Sequence, residues 1–263
     1  MNILVFGDIV GKGGREASKQ FIVKFRKENP VDFIVINGEN LAHGKGITNE
    51  TFREMSDAGV NVFTSGNHVW DIKQAYDILQ KETNMLRPAN FMPTLPGKGS
   101  VVVQVGTVSI AVLNINGRVF FNEDYDDPFR AVDQWLAVLP RVKPLITIVD
   151  FHAEATSEKK AMGFYLDGKV SAMWGTHTHV PTADEQILKE GTAYVTDVGM
   201  TGALNSTLGV RNGAVLERFK TQIKVPLDVV EEKPWEVNVL YLDIDESTGK
   251  ARGIRRIREI VTE

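Results

Sequence analysis

FIVINGEN, residues 33–40, is the stretch on which the fold can be read. Phe33–Ile36 is an unbroken apolar, largely β-branched run without polar alternation, as expected of a strand buried on both faces of a parallel sheet. It stops at a glycine flanked by Asn37, Glu39 and Asn40, a turn-forming cluster that also carries a carboxylate and two amides. The same plan recurs along the chain. Ile3–Phe6, Val60–Thr64, Val101–Val105, Val108–Ile115, Leu145–Phe151, Ala172–Trp174 and Ala193–Thr196 read as further short strands, most of them continuously apolar. Helix-like segments lie between several of them. Ala17–Glu28 stops before Pro30, Asn49–Ala58 is closed by Gly59, and Asp71–Lys81 follows. Pro128–Arg141 has Asp127 as its cap and Pro128 in its first turn, and Thr156 caps a shorter helix through Tyr165.

The tail changes character. Val237–Ile244 and Gly253–Val261 alternate polar with apolar around a turn at Glu246–Gly249, which predicts a closing antiparallel hairpin. Strands alternating with helices make an α/β chain. No repeat, low-complexity tract or Pro/Ser-rich linker interrupts it, so residues 1–263 read as one domain.

Composition narrows the function. The chain is 43% hydrophobic and 24% charged with a formal net charge of −4, so no overall basic excess marks an electrostatic nucleic-acid binder. RNA stays open as a ligand, but without a basic patch in the sequence to support it. The absence of cysteine excludes disulfides, zinc–thiolate sites and cysteine nucleophiles. The first residues lack the charged flank and length of a signal peptide, and no apolar run approaches the roughly 20 residues of a membrane span. The expectation is a cytoplasmic protein without membrane contact.

Five strand ends carry polar signatures: GDIVG (residues 7–11), NGEN (37–40), SGNH (65–68), DFHAE (150–154) and GTHTH (175–179). In parallel α/β sheets the loops beyond the strands' carboxyl ends converge on one edge, where ligands bind. Loops each donating Asp, Glu, Asn or His would build a mixed nitrogen–oxygen cage, suited to Mn, Fe, Ni or Zn. His-x-His in an extended chain sends both imidazoles to the same side, and a two-oxygen carboxylate such as Glu39 can bridge two ions about 3.5–4 Å apart. If the ligands are Asp8, Glu39, Asn40, Asn67, His152, His177 and His179, only two carry negative charge. Two divalent ions with a bridging hydroxide then leave a centre of about +1, able to receive a phosphodiester anion. His68, next to Asn67 but aimed elsewhere, is placed to protonate a leaving alkoxide as the general acid. Any one of these residues alone would read as a turn former, a helix cap or a satisfied buried histidine. The metal reading rests on the ordered set.

That set resembles the calcineurin-type metallophosphoesterase superfamily, whose pattern is an Asp after the first strand, a bridging acid, GNH, a lone His and G-H-x-H. Here it runs Asp8, Glu39, Gly66-Asn67-His68, His152 and Gly175-Thr176-His177-Thr178-His179. The chain is most similar to the bacterial YmdB-like branch, through FGDIVGKGGR, NGENLAHGKGIT, SGNHVWD, DFHAEATSEK, WGTHTHV and TDVGMTG. The superfamily's usual Asp-x-His is Asp8-Ile9-Val10, so one histidine ligand is missing, and Glu39 followed by Asn40 replaces the bridging Asp. Both departures are those of the YmdB-like branch and imply the ligand set above. The resemblance also implies a four-layer α/β/β/α sandwich with the metal site on loops at the strands' C-terminal ends. It implies phosphodiesterase activity on 2′,3′- and 3′,5′-cyclic nucleotides with two iron or manganese ions. In that pattern His177, Asn67 and His152 belong to the second metal, and His179 and Asp8 to the first.

Two other functions fit the residues: a phosphomonoesterase such as a nucleotidase, and a regulatory nucleotide- or RNA-binding protein with weak hydrolase activity. Homo-oligomerisation is also open. Four further stretches each leave two readings. His43 and Lys45 either contact substrate phosphate or are merely exposed, and GKGG (residues 11–14) is a tight turn in preference to a phosphate cradle. Gly199–Gly202 borders the site or is a flexible connection. Arg118–Asp127, with Phe120, Phe121 and Tyr125, stacks on a nucleobase or anchors its own loop.

Overall fold

The structure is a computed structural model and describes residues 1–142 and 146–262. Its elements run β1 (Asn2–Ile9), α1 (Gly11–Glu28), β2 (Phe33–Asn37), α2 (Asn49–Asp57), β3 (Val62–Thr64), α3 (Gln74–Lys81), β4 (Ser100–Val105), β5 (Val108–Asn116) and α4 (Pro128–Val142). They continue through β6 (Ile146–His152), α5 (Thr156–Leu166), β7 (Ala172–Thr176), β8 (Gln186–Ile187), β9 (Ala193–Val195), β10 (Met200–Ala203), α6 (Asn212–Thr221), β11 (Trp235–Ile244) and β12 (Ala251–Val261). Leu145, read as the first residue of a strand, lies outside the described residues.

The strands form two six-stranded, parallel-rich sheets. One has the order β12-β11-β10-β1-β2-β3, with β11 also pairing β1; the other has the order β4-β5-β6-β7-β9-β8. β10, β1, β2 and β3 are mutually parallel, as are β5, β6, β7 and β9, while the antiparallel strands lie toward the margins. Alternate side chains of each strand enter different cores, which is why the runs are apolar throughout. Ile3 and Val5 pack with Ile110, Ile148 and Trp174 of the other sheet. Their neighbours Leu4 and Phe6 pack instead against Phe21, Ile22 and Phe25 of α1. On the second sheet, Val149 and Phe151 face Trp135 of α4 and Met162 of α5. Each large side chain so buried contributes about 1.5–3 kcal/mol.

The hairpin forms as the alternation predicts, Asp127 caps α4 through the Phe129 backbone N–H at 2.8 Å, and Gly59, at φ +94°, ends α2. Four readings need correction. GKGG is the first turn of α1, neither a free turn nor a cradle. Glycine is needed there for close packing, because a Cβ on Gly13 would meet the Trp235 indole and one on Gly14 the Thr201 carbonyl. Thr156 does not cap α5; it is the first helical residue, and Ala155 precedes it with no side-chain bond. Gly199–Gly202 is no flexible connection, since Met200–Ala203 is a buried strand between β1 and β11. Residues 67–70, the first of them within SGNH, form a 3-10 turn, so α3 begins at Gln74, not Asp71. Among the described residues no helix is long and apolar enough to cross a membrane.

Candidate metal centre

Parallel register brings the strand ends level. Asp8 of β1 pairs with Asn37 of β2, which pairs with Thr64 of β3; Asn116, His152 and Thr176 align at the ends of β5, β6 and β7. Buried polar contacts tie the two rows together. Thr64 Oγ1 donates to Asp150, as does Thr176 Oγ1 at 2.7 Å, and Asn37 Nδ2 reaches Thr176 Oγ1 at 3.4 Å. Burial pushes the Asp150 carboxyl up to about 7 despite these hydroxyls.

His152 is where the candidate ligands meet. Glu39 Oε1, His177 Nδ1 and Asn67 Oδ1 lie 3.0, 3.0 and 3.1 Å from its Nε2, while its Nδ1 is 2.9 Å from Thr176 Oγ1. A ring nitrogen carries at most one proton, so Nε2 can satisfy only one of three facing acceptors. Asp8 Oδ1 and Asn40 Oδ1 are buried with no hydrogen-bond partner among the described residues. Unmet buried acceptors cost about 1–3 kcal/mol each. Oxygens and imidazole nitrogens left facing one another are what a divalent cation resolves, and the donor types suit a borderline metal. The residues present therefore fit a metal centre. Ligand atoms of Glu39, His152 and His177 lie within 4.8 Å of one another.

The electrostatics say the same. Burial alone would raise Glu39, but His152 and His68 hold it down at about 2. Burial works against protonated His152, yet Glu39, Asp8 and Asp150 carry it to about 9. His177, buried beside that charge, falls to about 3, and burial raises Asp8. Without a cation, a proton on His152 holds the carboxylates together. A bound cation would replace it.

Asp8 Oδ2 accepts the His177 backbone N–H at 3.1 Å, and Asn40 Nδ2 donates to the Gly44 carbonyl at 2.9 Å, leaving its oxygen free. Gly175 and Thr176 end β7, but His177–His179 are not extended as the sequence suggested. His177 and His179 both have positive φ, +98° and +64°, and their Nδ1 atoms meet different partners. His177 Nδ1 faces His152 while Nε2 is 3.0 Å from Glu154, a partner that fixes the tautomer. His179 Nδ1 lies 3.2 Å from the Leu208 carbonyl; it borders the same cleft but stands apart from the three-residue cluster.

His68 sits outside the donor cluster. Its backbone N–H donates to Glu39 Oε2 at 2.9 Å, its Nδ1 is 3.0 Å from Asp71 Oδ2, and its side chain lines the cleft. Gly66 must lack a side chain, because a Cβ there would collide with the His152 ring.

The sequence reading missed the support beneath the histidine loop. Asp197 and Lys159 form a wholly buried ion pair at 2.6 Å. Asp197 Oδ2 also accepts the Thr178 hydroxyl at 2.8 Å and backbone N–H at 3.2 Å, and its Oδ1 accepts Gly199 N–H at 2.8 Å. It thus clamps the residue between two strained histidines, each strained φ costing on the order of 1–3 kcal/mol. The available signal was a lysine in DFHAEATSEK and an aspartate in TDVGMTG, both in stretches already singled out.

Of the four ambiguous stretches, Lys45 lines the cleft, whereas His43 is exposed outside it. In the Arg118–Asp127 loop, Phe121 packs 4.8 Å from the His177 ring and Tyr125 is buried against Phe121 and Phe91. That loop covers the donor cluster with apolar surface.

Comparison with known proteins places the chain in a family. A family model described as YmdB-like protein matches residues 4–257. A 2′,3′-cyclic-nucleotide 2′-phosphodiesterase of Bacillus subtilis (strain 168) is 45% identical over 257 residues, covering 98% of this chain and 96% of that protein. A solved structure of a hypothetical protein from Thermus thermophilus matches with a TM-score of 0.92 at 38% identity, over 99% of this chain and 100% of that one. A novel phosphatase from Mycoplasma pneumoniae matches with a TM-score of 0.93 at 30% identity, over 100% and 94%. On its sequence, the chain belongs to the YmdB-like family.

Proposed function

We propose that the chain is a phosphodiesterase dependent on two metal ions, hydrolysing 2′,3′- and/or 3′,5′-cyclic nucleotides or similar small phosphodiesters. The observation that carries this reading is the convergence of Glu39, Asn67 and His177 on His152, beside the partnerless oxygens of Asp8 and Asn40. The activity named for the Bacillus relative supports the substrate class. Asp8, Glu39, Asn40, Asn67, His152, His177 and His179 would hold the ions, iron or manganese by donor type. When bound, two divalent cations neutralise phosphoryl charge and acidify water.

The chain's own residues do the rest. Asp71 takes His68 Nδ1, which orients the ring and leaves Nε2 to give a proton to the departing ribose oxygen. The Glu39 bond to the His68 backbone couples the acid's position to the donor cluster. Phe121 and Tyr125 exclude water from one side of the cluster.

The same reading takes residues 1–263 as one domain in four α/β/β/α layers. Its support is the core shared by both sheets and the Met1 amino group donating to the Ile244 carbonyl at 2.9 Å. It places the protein in the cytoplasm, which the lack of cysteine suits, with no membrane partner and with a homo-oligomer compatible.

The test is turnover of bis-p-nitrophenyl phosphate against the monoester, with His68→Ala alongside. Diester turnover should exceed monoester turnover, and hydrolysis of a 2′,3′-cyclic nucleotide, whose ribose oxygen leaves only with a proton, should fall by about 10²–10⁴-fold in the variant. Preference for the monoester, or indifference to His68, would overturn the reading.

A further inference from the structure

The cleft beside the metal centre is larger than a cyclic mononucleotide needs and is built differently on its far side. Its volume of about 860 Å³ is toward the upper end of small-molecule sites. Glu39 and the histidines form one side; α6 and the segments flanking it form the other. There Phe219 is 80% exposed, an unusual position for a large aromatic ring in a cleft that also exposes Leu208 and Leu227. Lys45, Arg218 and Lys224 line the same cleft, and none pairs with a carboxylate among the described residues. Other exposed cations, Lys27 and Arg53 for instance, also stand without a carboxylate among the described residues; what sets these three apart is that they line one cleft together with Phe219. Apart from Glu39, the carboxylate bordering the cleft is Glu154, and it is taken by His177.

A cyclic mononucleotide brings one negative charge, and the metal centre meets it. Three further unpaired cations and an exposed ring call for further phosphates and further bases. Cationic side chains that meet backbone phosphates, together with an aromatic platform for bases, are how proteins hold single-stranded nucleic acid. We propose that the substrate enters as the 3′ end of a single-stranded oligoribonucleotide that terminates in a 2′,3′-cyclic phosphate. The nucleotides before the reacting one lie along α6, a base on Phe219 and phosphates on Arg218, Lys224 and Lys45. This rests on the phosphodiesterase reading above. In the reaction water's oxygen bonds to phosphorus, one ribose oxygen leaves and takes a proton, and the oligonucleotide ends in a phosphomonoester.

The experiment compares kcat/KM of the metal-loaded full chain for adenosine 2′,3′-cyclic phosphate and for a trinucleotide ending in the same group. Wild type, Phe219→Ala and the double variant Arg218→Ala/Lys224→Ala are measured side by side, with melting temperatures to establish folding. Wild type should prefer the trinucleotide by about tenfold or more, mainly through KM, and that advantage should weaken steeply with salt. The preference should fall about fivefold or more in Phe219→Ala, the lower end for loss of one base–aromatic stack. It should also fall in the charge variant, which keeps the aromatic platform. Equal kcat/KM for the two substrates in wild type overturns the proposal while leaving the phosphodiesterase reading intact. So does a preference that neither variant moves, including the case where the variants change only the oligomeric state and the patch serves contacts between copies. Turnover of neither substrate overturns the underlying reading and this one with it.

Discussion

The floor of the cleft, where β6 and β7 end, and its outer wall along α6 hold their functional side chains in opposite ways. On the floor His152, Asp150 and Thr176 have no solvent exposure, and each is met by partners from at least two other strands or loops. On the wall Val215 is the one buried side chain of α6, and Phe219 and Arg218 project from the helix without partners among the described residues. Charge development in phosphate hydrolysis rewards groups fixed before substrate arrives, because a preorganised site spends nothing on reorganisation. A surface that accepts varied nucleotides needs no such rigidity. The floor should therefore answer substitutions with large, specific losses and the wall with graded ones.

The largest effect belongs to His152→Ala, which removes the ring on which three acceptors converge. Turnover and bound metal should fall together by more than the roughly 10–100-fold typical of an outer partner. Metal analysis beside a diester assay checks it; normal metal content in the variant would break the contrast between floor and wall.

Next comes Asp197→Asn. The amide keeps the shape but leaves Lys159 buried without its counter-charge and loosens the hold on Thr178. Metal affinity should drop by about 10–100-fold in a chelator competition. Adding Lys159→Met should recover melting temperature, because it removes the buried ammonium left without a counter-charge. It should not recover affinity, since the loop stays unclamped.

Smaller is the pH response of the metal-free protein. Folding raises His152 from 6.5 to about 9, so its contribution to stability is complete below 6.5 and is lost as pH rises through about 9. Asp150, raised to about 7, acts in the same direction. His177 and Glu39, lowered to about 3 and about 2, act in the opposite direction only below their unfolded values. The melting temperature of chelator-treated protein should thus fall between pH 6.5 and 9, and added metal should abolish the fall. A flat profile in the metal-free protein would mean that His152 holds no extra proton.

The smallest effect is on the wall. Gly213 of α6 has open space where a Cβ would sit, so Gly213→Ala should stabilise the helix by about 0.5 kcal/mol. Hydrogen exchange across residues 212–221 would report it.

The same contrast decides what could be read in advance. The floor was legible because doubly buried strands leave continuous apolar runs, and each run ended on a ligand type: Asp8, Glu39, Asn67, His152, His177. The wall was not. Asn212–Thr221 carries few apolar residues on one face, so no periodicity marked it as a helix. Met200–Ala203 is a strand only because β1 and β11 flank it, a tertiary fact that MTGA does not encode. GKGG misled because glycine is a poor helix former, and here it is required by what α1 packs against. The Lys159–Asp197 pair joins residues 38 apart, a contact that no local pattern announces.

The central claim is that the strand-end cluster holds two metal ions. The most direct measurement is metal content by mass spectrometry on anaerobically purified and reconstituted protein, with Glu39→Gln as the control. About two iron or manganese ions per chain are expected, with a clear loss in Glu39→Gln, whose carboxylate would serve both. Fewer than about one ion per chain after reconstitution would contradict it, because a single site needs no bridge and no site leaves the cluster unexplained.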